Sequence, residues 1–162
     1  MEFFAPIQSA PEEENHGMEE PRSAEQRKID TLARLASDVD AWIASADAAG
    51  NGYLLPLSFL WDGAGLIVST PANSVTARNL SRGGQVRAGI GQVRDVTMID
   101  GTAEPVHDEQ TKDAFAAKHG WDPRKESGDY AFFRIVPDRI QAWRQVNELA
   151  GRTLMRGGEW VA

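Results

Sequence analysis

The chain has 162 residues, 41% of them hydrophobic and 25% charged, and contains no cysteine, which excludes disulfides, thiol nucleophiles and cysteine metal sites. Its formal charge of −7 is mostly N-terminal: Glu2, Glu12, Glu13, Glu14, Glu19 and Glu20 precede the first basic residue, leaving 18 acids against 17 Lys and Arg. That balance lacks the basic footprint of a nucleic-acid binder, and no apolar run reaches the length of a membrane span.

Residues 1–22, rich in Glu and interrupted by Pro6, Pro11 and Pro21, read as a disordered acidic tail, and 23–162 as one folded domain. The tail has no basic region followed by an apolar one, so no secretory leader is expected and the protein reads as cytoplasmic. Ser23 and Gln26 match a capping box. The helix they open carries Ile29, Leu32, Leu35, Ala36 and Val39 at helical spacing, a face expected to cover a barrel mouth or side.

Strands follow. Trp42–Ala46 is short. In Gly52–Trp61, Tyr53, Leu55, Leu57, Phe59 and Trp61 alternate onto one face, Asp62-Gly63 reads as a hairpin turn, and Leu66–Thr70 returns. Ser74 caps a short helix to Arg82, stopped by Gly83-Gly84. Val86–Gln92 and Val96–Val106 form a hairpin around Gln92–Asp95. Asp108–His119 reads as an amphipathic helix ending at Gly120, and 121–129 as a polar loop. Tyr130–Val136 and Ile140–Arg144 read as two strands joined at Pro137-Asp138. Short strands, frequent turns and few helices predict a mainly β barrel with flanking helices.

Few residues carry chemistry. His16 lies in the tail, and His107 and His119 sit at opposite ends of one helix, too far apart for a metal pair; they read as surface histidines, and no metal is expected. Gly89-Ile90-Gly91 lies within a strand and marks a close backbone approach or a bulge rather than a phosphate loop. Around the Ser74 helix, Ser69, Thr70, Ser74 and Thr76 supply hydroxyls and Arg78 a cation near a positive helix end, a set able to hold a phosphate or simply to cap a surface helix. Trp143 shares a strand face with Gln141, as an aromatic wall for a planar ligand or as core.

Ser69-Thr70, Ser74-Val75-Thr76-Ala77-Arg78-Asn79-Leu80, the strand Arg139–Arg144 with its Trp143, Gly151-Arg152-Thr153-Leu154 and Trp160 together resemble the flavin-binding split barrel of the pyridoxamine-phosphate-oxidase-like family over about residues 42–160. The resemblance implies a homodimer with two flavin sites at its interface. The ring would lie along Leu54–Phe59, with Leu57, Ser58 and Phe59 as contacts. Ser69, Thr70, Ser74, Thr76, Arg78 and Asn79 would hold the ribityl and phosphate, and Trp143 and Arg152 would reach in from the other subunit. It implies an FMN-binding oxidoreductase passing hydride to or from a small planar substrate. The alternatives are a deazaflavin-dependent reductase and a non-catalytic flavin or tetrapyrrole binder.

The departures are specific. Leu54, Phe59 and Thr76 stand where the true oxidases carry basic residues, and Glu148 and Ala150 where they carry the substrate's Arg and His. An acid at Glu148 would repel a phosphorylated substrate, which argues against pyridoxamine phosphate. Thr76-Ala77-Arg78-Asn79-Leu80 resembles an actinobacterial branch in which many members use deazaflavin. No residue stands out as a general acid or base.

Overall fold

The structure, a computed structural model, describes residues 17–162; residues 1–16, most of the acidic tail, lie outside the described residues. Eight strands and three helices follow one another: α1 (Ala24–Ser37), β1 (Asp40–Ala46), β2 (Gly52–Trp61), β3 (Leu66–Pro71), α2 (Val75–Ser81), β4 (Gln85–Gln92), β5 (Asp95–Pro105), α3 (Glu109–His119), β6 (Tyr130–Trp143), β7 (Thr153–Arg156) and β8 (Glu159–Trp160). Two short 3₁₀ turns lie at Pro123–Lys125 and Val146–Glu148. No described helix is long and apolar enough to cross a membrane.

The strands are hydrogen-bonded in the order β3-β2-β1-β4-β5-β6-β7-β8, and an added β3–β6 pairing closes the first six into a barrel. All neighbours are antiparallel. Inward positions fill one core, with Ile43, Phe59, Leu66, Val68, Ala88, Ile90, Ile99, Phe133, Ile135 and Ile140 among its members and Leu55, Leu57 and Trp61 packed against it. The alternation expected of β2 is therefore present. So are its turn, where Asp62 Oδ1 accepts from Ala64 N and Gly65 N, and the β4–β5 hairpin, where Gln92 pairs with Asp95.

The barrel is split. Along one edge β2 pairs with β1 from Gly52 to Ser58, but it meets β3 only at Phe59, Leu60 and Trp61. Above that contact the second edge of β2 has no strand partner among the described residues, while β3 turns to pair with β6 over its whole length.

Three expectations need correction. Tyr130–Val136 and Ile140–Arg144 are one fourteen-residue strand, β6, running through Pro137. It survives because the ladder shifts register at Asp100/Gly101: Gly101 faces Pro137, Asp100 faces Arg139, and Asp138 is the extra residue. A bulge tolerates the missing proline N–H. Second, α1 does begin at Ser23, whose side chain accepts from Gln26 N, but Gln26 bonds Asp30 rather than closing the box. Its buried residues are Arg27, Thr31 and Leu35, while Ile29 is 54% exposed and Leu32 also faces solvent. Arg27 turns inward because Nη1 donates to the Glu148 carbonyl at 3.0 Å. Third, α3 buries only Phe115, so it is not the amphipathic helix expected, and His119 is half-buried. Its Nε2 lies 3.0 Å from the Phe59 carbonyl, its ring is 4.5 Å from Phe115, and burial holds its pKa below the usual imidazole value.

Gly101 is demanded by this geometry. A Cβ there would lie 2.0 Å from the Val136 carbonyl oxygen, which neighbouring backbone cannot vacate. Gly84 meets nothing within 4 Å. Gly101→Ala should cost about 2–3 kcal/mol in urea unfolding, against within about 0.5 kcal/mol for Gly84→Ala; equal effects would mean that the bulge is not a constraint.

Candidate functional site

The expected site residues fall into two groups at opposite ends of β6. The first gathers at the split. Ser69 and Thr70, at the end of β3, pair with Phe132 and Ala131 at the start of β6. The Ser69 hydroxyl donates to the Ala131 carbonyl at 3.1 Å, and Thr70 Oγ1 lies 3.2 Å from Ser74 Oγ. Ser74 caps α2, accepting from Ala77 N at 3.0 Å. Arg78, one turn on, is exposed, and its Nη1 donates to the Asn73 carbonyl at 2.7 Å. That bond folds the guanidinium back to the residue before the α2 cap. Asn79 is buried and donates to Ser45 Oγ at 3.1 Å, tying α2 to β1.

Several side chains expected to face a ligand point elsewhere. Phe59 is fully buried and Leu57 packs on the same core, because both sit on the inner phase of β2. Ser58 is on the outer phase, but its hydroxyl bonds Asp40 Oδ1 at 2.9 Å. What β2 offers is its unpaired main-chain edge, a row of donors and acceptors open to a planar group with a polar rim. Thr76 faces inward and is fully buried, with no hydrogen-bond partner for Oγ1. The polar groups left at this end are thus Arg78, the Thr70–Ser74 pair and the backbone at the start of α2.

The second group lies at the far end of β6. Gln141 and Trp143 share the outer face, opposite buried Ile140 and Ala142, as their strand phase requires. Arg152 lies just before β7, where its carbonyl accepts from Ala142 N at 3.0 Å. Its guanidinium carbon sits 5.6 Å from the Trp143 ring centroid, a stacked cation, and Nη1 donates to the Leu149 carbonyl at 3.2 Å. Beside Trp143 opens a cleft of about 380 Å³ lined by Met18, Arg94, Arg144, Val146 and Leu149.

The turn that carries Arg152 is pinned by a residue whose role sequence reasoning misjudged. Glu148 is only 3% exposed. Its carboxylate accepts from Arg22 N at 3.0 Å, Arg22 Nε at 2.9 Å, Arg22 Nη2 at 2.7 Å and Arg144 N at 2.9 Å. The Arg22 guanidinium holds the carboxyl at about 2, well below its ordinary 4.5, against a desolvation cost acting the other way. Glu148 is therefore inward-facing and its charge is paired with Arg22. Arg22, read as part of the tail, is bound to the barrel through this pair and through Asp30 at 2.7 Å. Nothing in the sequence connects residues 126 positions apart; the lone signal was an acid three residues before a Gly-Arg.

The folded pKa of Glu148 is depressed, so its stabilising effect is complete above the ordinary carboxylate value and is lost as pH falls from about 4.5 towards about 2. Glu148→Gln should destabilise the fold by about 3 kcal/mol at neutral pH, by leaving Arg22 unpaired. It should also flatten the acid limb of stability between those values. Denaturant unfolding at a series of pH values measures both, and an acid limb identical to wild type would remove Glu148 from this role.

Comparison with known proteins places the fold. None of the curated proteins matches. Among solved structures, a pyridoxamine 5'-phosphate oxidase homologue from Listeria innocua superposes with a TM-score of 0.61 at 21% identity, covering 74% of this chain and 98% of that one. A heme storage protein from Vibrio cholerae gives 0.64 at 16% identity, covering 82% and 99%. A FAD-binding protein from Mesorhizobium loti gives 0.56 at 20% identity, covering 74% and 91%. Identities this low carry the fold alone. The sequence model described as pyridoxamine 5'-phosphate oxidase matches residues 31–144, from within α1 to one residue past β6, and the chain belongs to that family.

Proposed function

We propose that the protein is a homodimeric oxidoreductase that binds FMN, with a deazaflavin as the alternative cofactor, in two sites each built from both subunits. The observation that carries this reading is the separation of the half-sites. Ala131, beside Thr70, and Trp143 are twelve residues apart on one strand, on the order of 30–40 Å of chain at about 3.3 Å per residue. A mononucleotide-sized ligand cannot touch both ends within one subunit. A two-fold partner would bring its own Trp143 and Arg152 to the split of the first.

The surface supports a partner. On the outer face, Leu54 is 61% and Trp42 54% exposed, and they line an apolar trough of about 290 Å³ with Gly89, Val96 and Met98. An apolar face of this kind suits a subunit interface.

The residues fit the cofactor unevenly. The unpaired β2 edge and the Trp143–Arg152 stack suit a flat ring with a polar rim. The phosphate end has one cation, Arg78, and two neutral hydroxyls. When bound, a flavin or deazaflavin supplies hydride transfer. The protein's part is positioning: β2 aligns the ring edge, Trp143 walls one face, Arg152 sets a positive charge at it, and the apposed subunits exclude water. Among the described residues no side chain beside the β2 edge or Trp143 is placed as a proton donor, so the proton that completes any hydride addition would come from solvent.

Purified protein should carry or bind FMN or a deazaflavin, identified by its visible spectrum and mass. Arg78→Ala should weaken that binding about tenfold to a hundredfold, the loss of one charge-assisted contact to phosphate, with little change in melting temperature. Equal affinities in both proteins would move the phosphate elsewhere. Tight binding without turnover of any hydride acceptor would favour a non-catalytic flavin or tetrapyrrole carrier.

A further inference from the structure

A second groove, of about 680 Å³, opens on the outer face between β1, β4, β5, β6 and β7. Its floor is low because β1 contributes only Ala44, Ser45 and Ala46 there. Its wall is a row of charges in register. Arg87 on β4 faces Asp100 on β5, and Asp100 faces Arg139 on β6. Arg87 Nε donates to Asp100 Oδ1 at 2.5 Å, while Arg139 Nε and Nη2 both donate to Asp100 Oδ2, at 2.9 and 2.6 Å. Arg156, at the end of β7, and Asp138, the bulged residue, complete the lining with Gln85.

The donor balance exceeds what a structural ion pair needs. One carboxylate holds two guanidiniums, and both of its oxygens are occupied by them. Four N–H groups on Arg87 and three on Arg139 are left without a side-chain partner among the described residues. Arg156 adds a third cation with no ion pair among the described residues. Asp138 is the one acidic residue lining the groove that makes no ion pair among the described residues. Guanidinium forks match the spacing of carboxylate and phosphate oxygens, and Asp100 fixes two of them side by side. The bulge makes the cluster possible, since without Asp138 looped out Arg139 would not stand opposite Asp100.

We infer that this groove is a binding site for a small oxyanion-bearing molecule, held by Arg87, Arg139 and Arg156 and positioned by Asp100. It shares no lining residue with the Trp143 cleft, although Arg87 and Ala44 also border the apolar trough proposed as the subunit interface. The anion is a phosphate or a carboxylate.

Isothermal calorimetry on the full chain, at fixed ionic strength with chloride as the control, tests this with pyrophosphate and citrate as probes. Saturable binding of at least one probe below about 10 mM is expected, and the tighter of the two identifies the source chemistry. Arg156→Gln and Arg139→Gln should each weaken it about tenfold. Arg156 makes no described ion pair, so its variant keeps the fold, and FMN affinity should be unchanged. No binding beyond the chloride control, or binding indifferent to both variants, overturns the proposal. So does a change of oligomeric state in Arg139→Gln without binding of either probe, which would make the groove a contact between copies.

Discussion

Everything in this molecule hangs on how β6 is shared. Its first half pairs with β3 and closes the barrel; near its end it pairs with β7 at Ile140 and Gln141; its other edge runs along β5 from Phe133 to Trp143. On its other edge β3 meets β2 at only three residues, and the split follows. Because β6 continues past the barrel seam, the Trp143–Arg152 pair is carried away from that split. Under the proposed function, the strand that carries one half-site also takes the other out of its reach, which is why the proposal needs a second subunit.

Electrostatics refine this frame rather than create it. The Arg22–Glu148 pair is buried, and such a pair contributes more to specifying one arrangement than to net stability. Here it fixes the turn between β6 and β7, and with it the height at which Arg152 meets Trp143. Asp100 does comparable work on the outer face by holding Arg87 and Arg139 together. In each case one carboxylate with saturated oxygens sets the direction of arginines whose own side chains are flexible.

Much of the fold was legible because its signals are local. Alternation in Gly52–Trp61, the Ser23 and Ser74 caps and the turn at Asp62 each depend on a few neighbours, and the structure shows each of them. The illegible parts depend on distant ones. Pro137 reads as a break unless Gly101 is known to lie opposite. Arg27 and Thr31 read as the polar face of α1 unless a carbonyl at Glu148 needs a donor. The site divides the same way. Strand phase put Trp143 on one face with Gln141 and Phe59 on the apolar face of β2, but the burial of Thr76 follows from barrel closure, and no motif announces that. Resemblance supplied the pairing of Trp143 with Arg152, which geometry then places in one stack.

The central claim is that each site takes one half from each subunit, and mixed dimers test it directly. Arg78→Ala and Arg152→Ala should each bind cofactor poorly as pure dimers. When the two are unfolded together and refolded as a mixture, the hybrid has one site with both changes and one with neither. Titration of the hybrid should therefore recover one wild-type-affinity site per dimer. Hybrids that bind no better than either parent would contradict the shared-site account and place the whole cofactor site within a single chain.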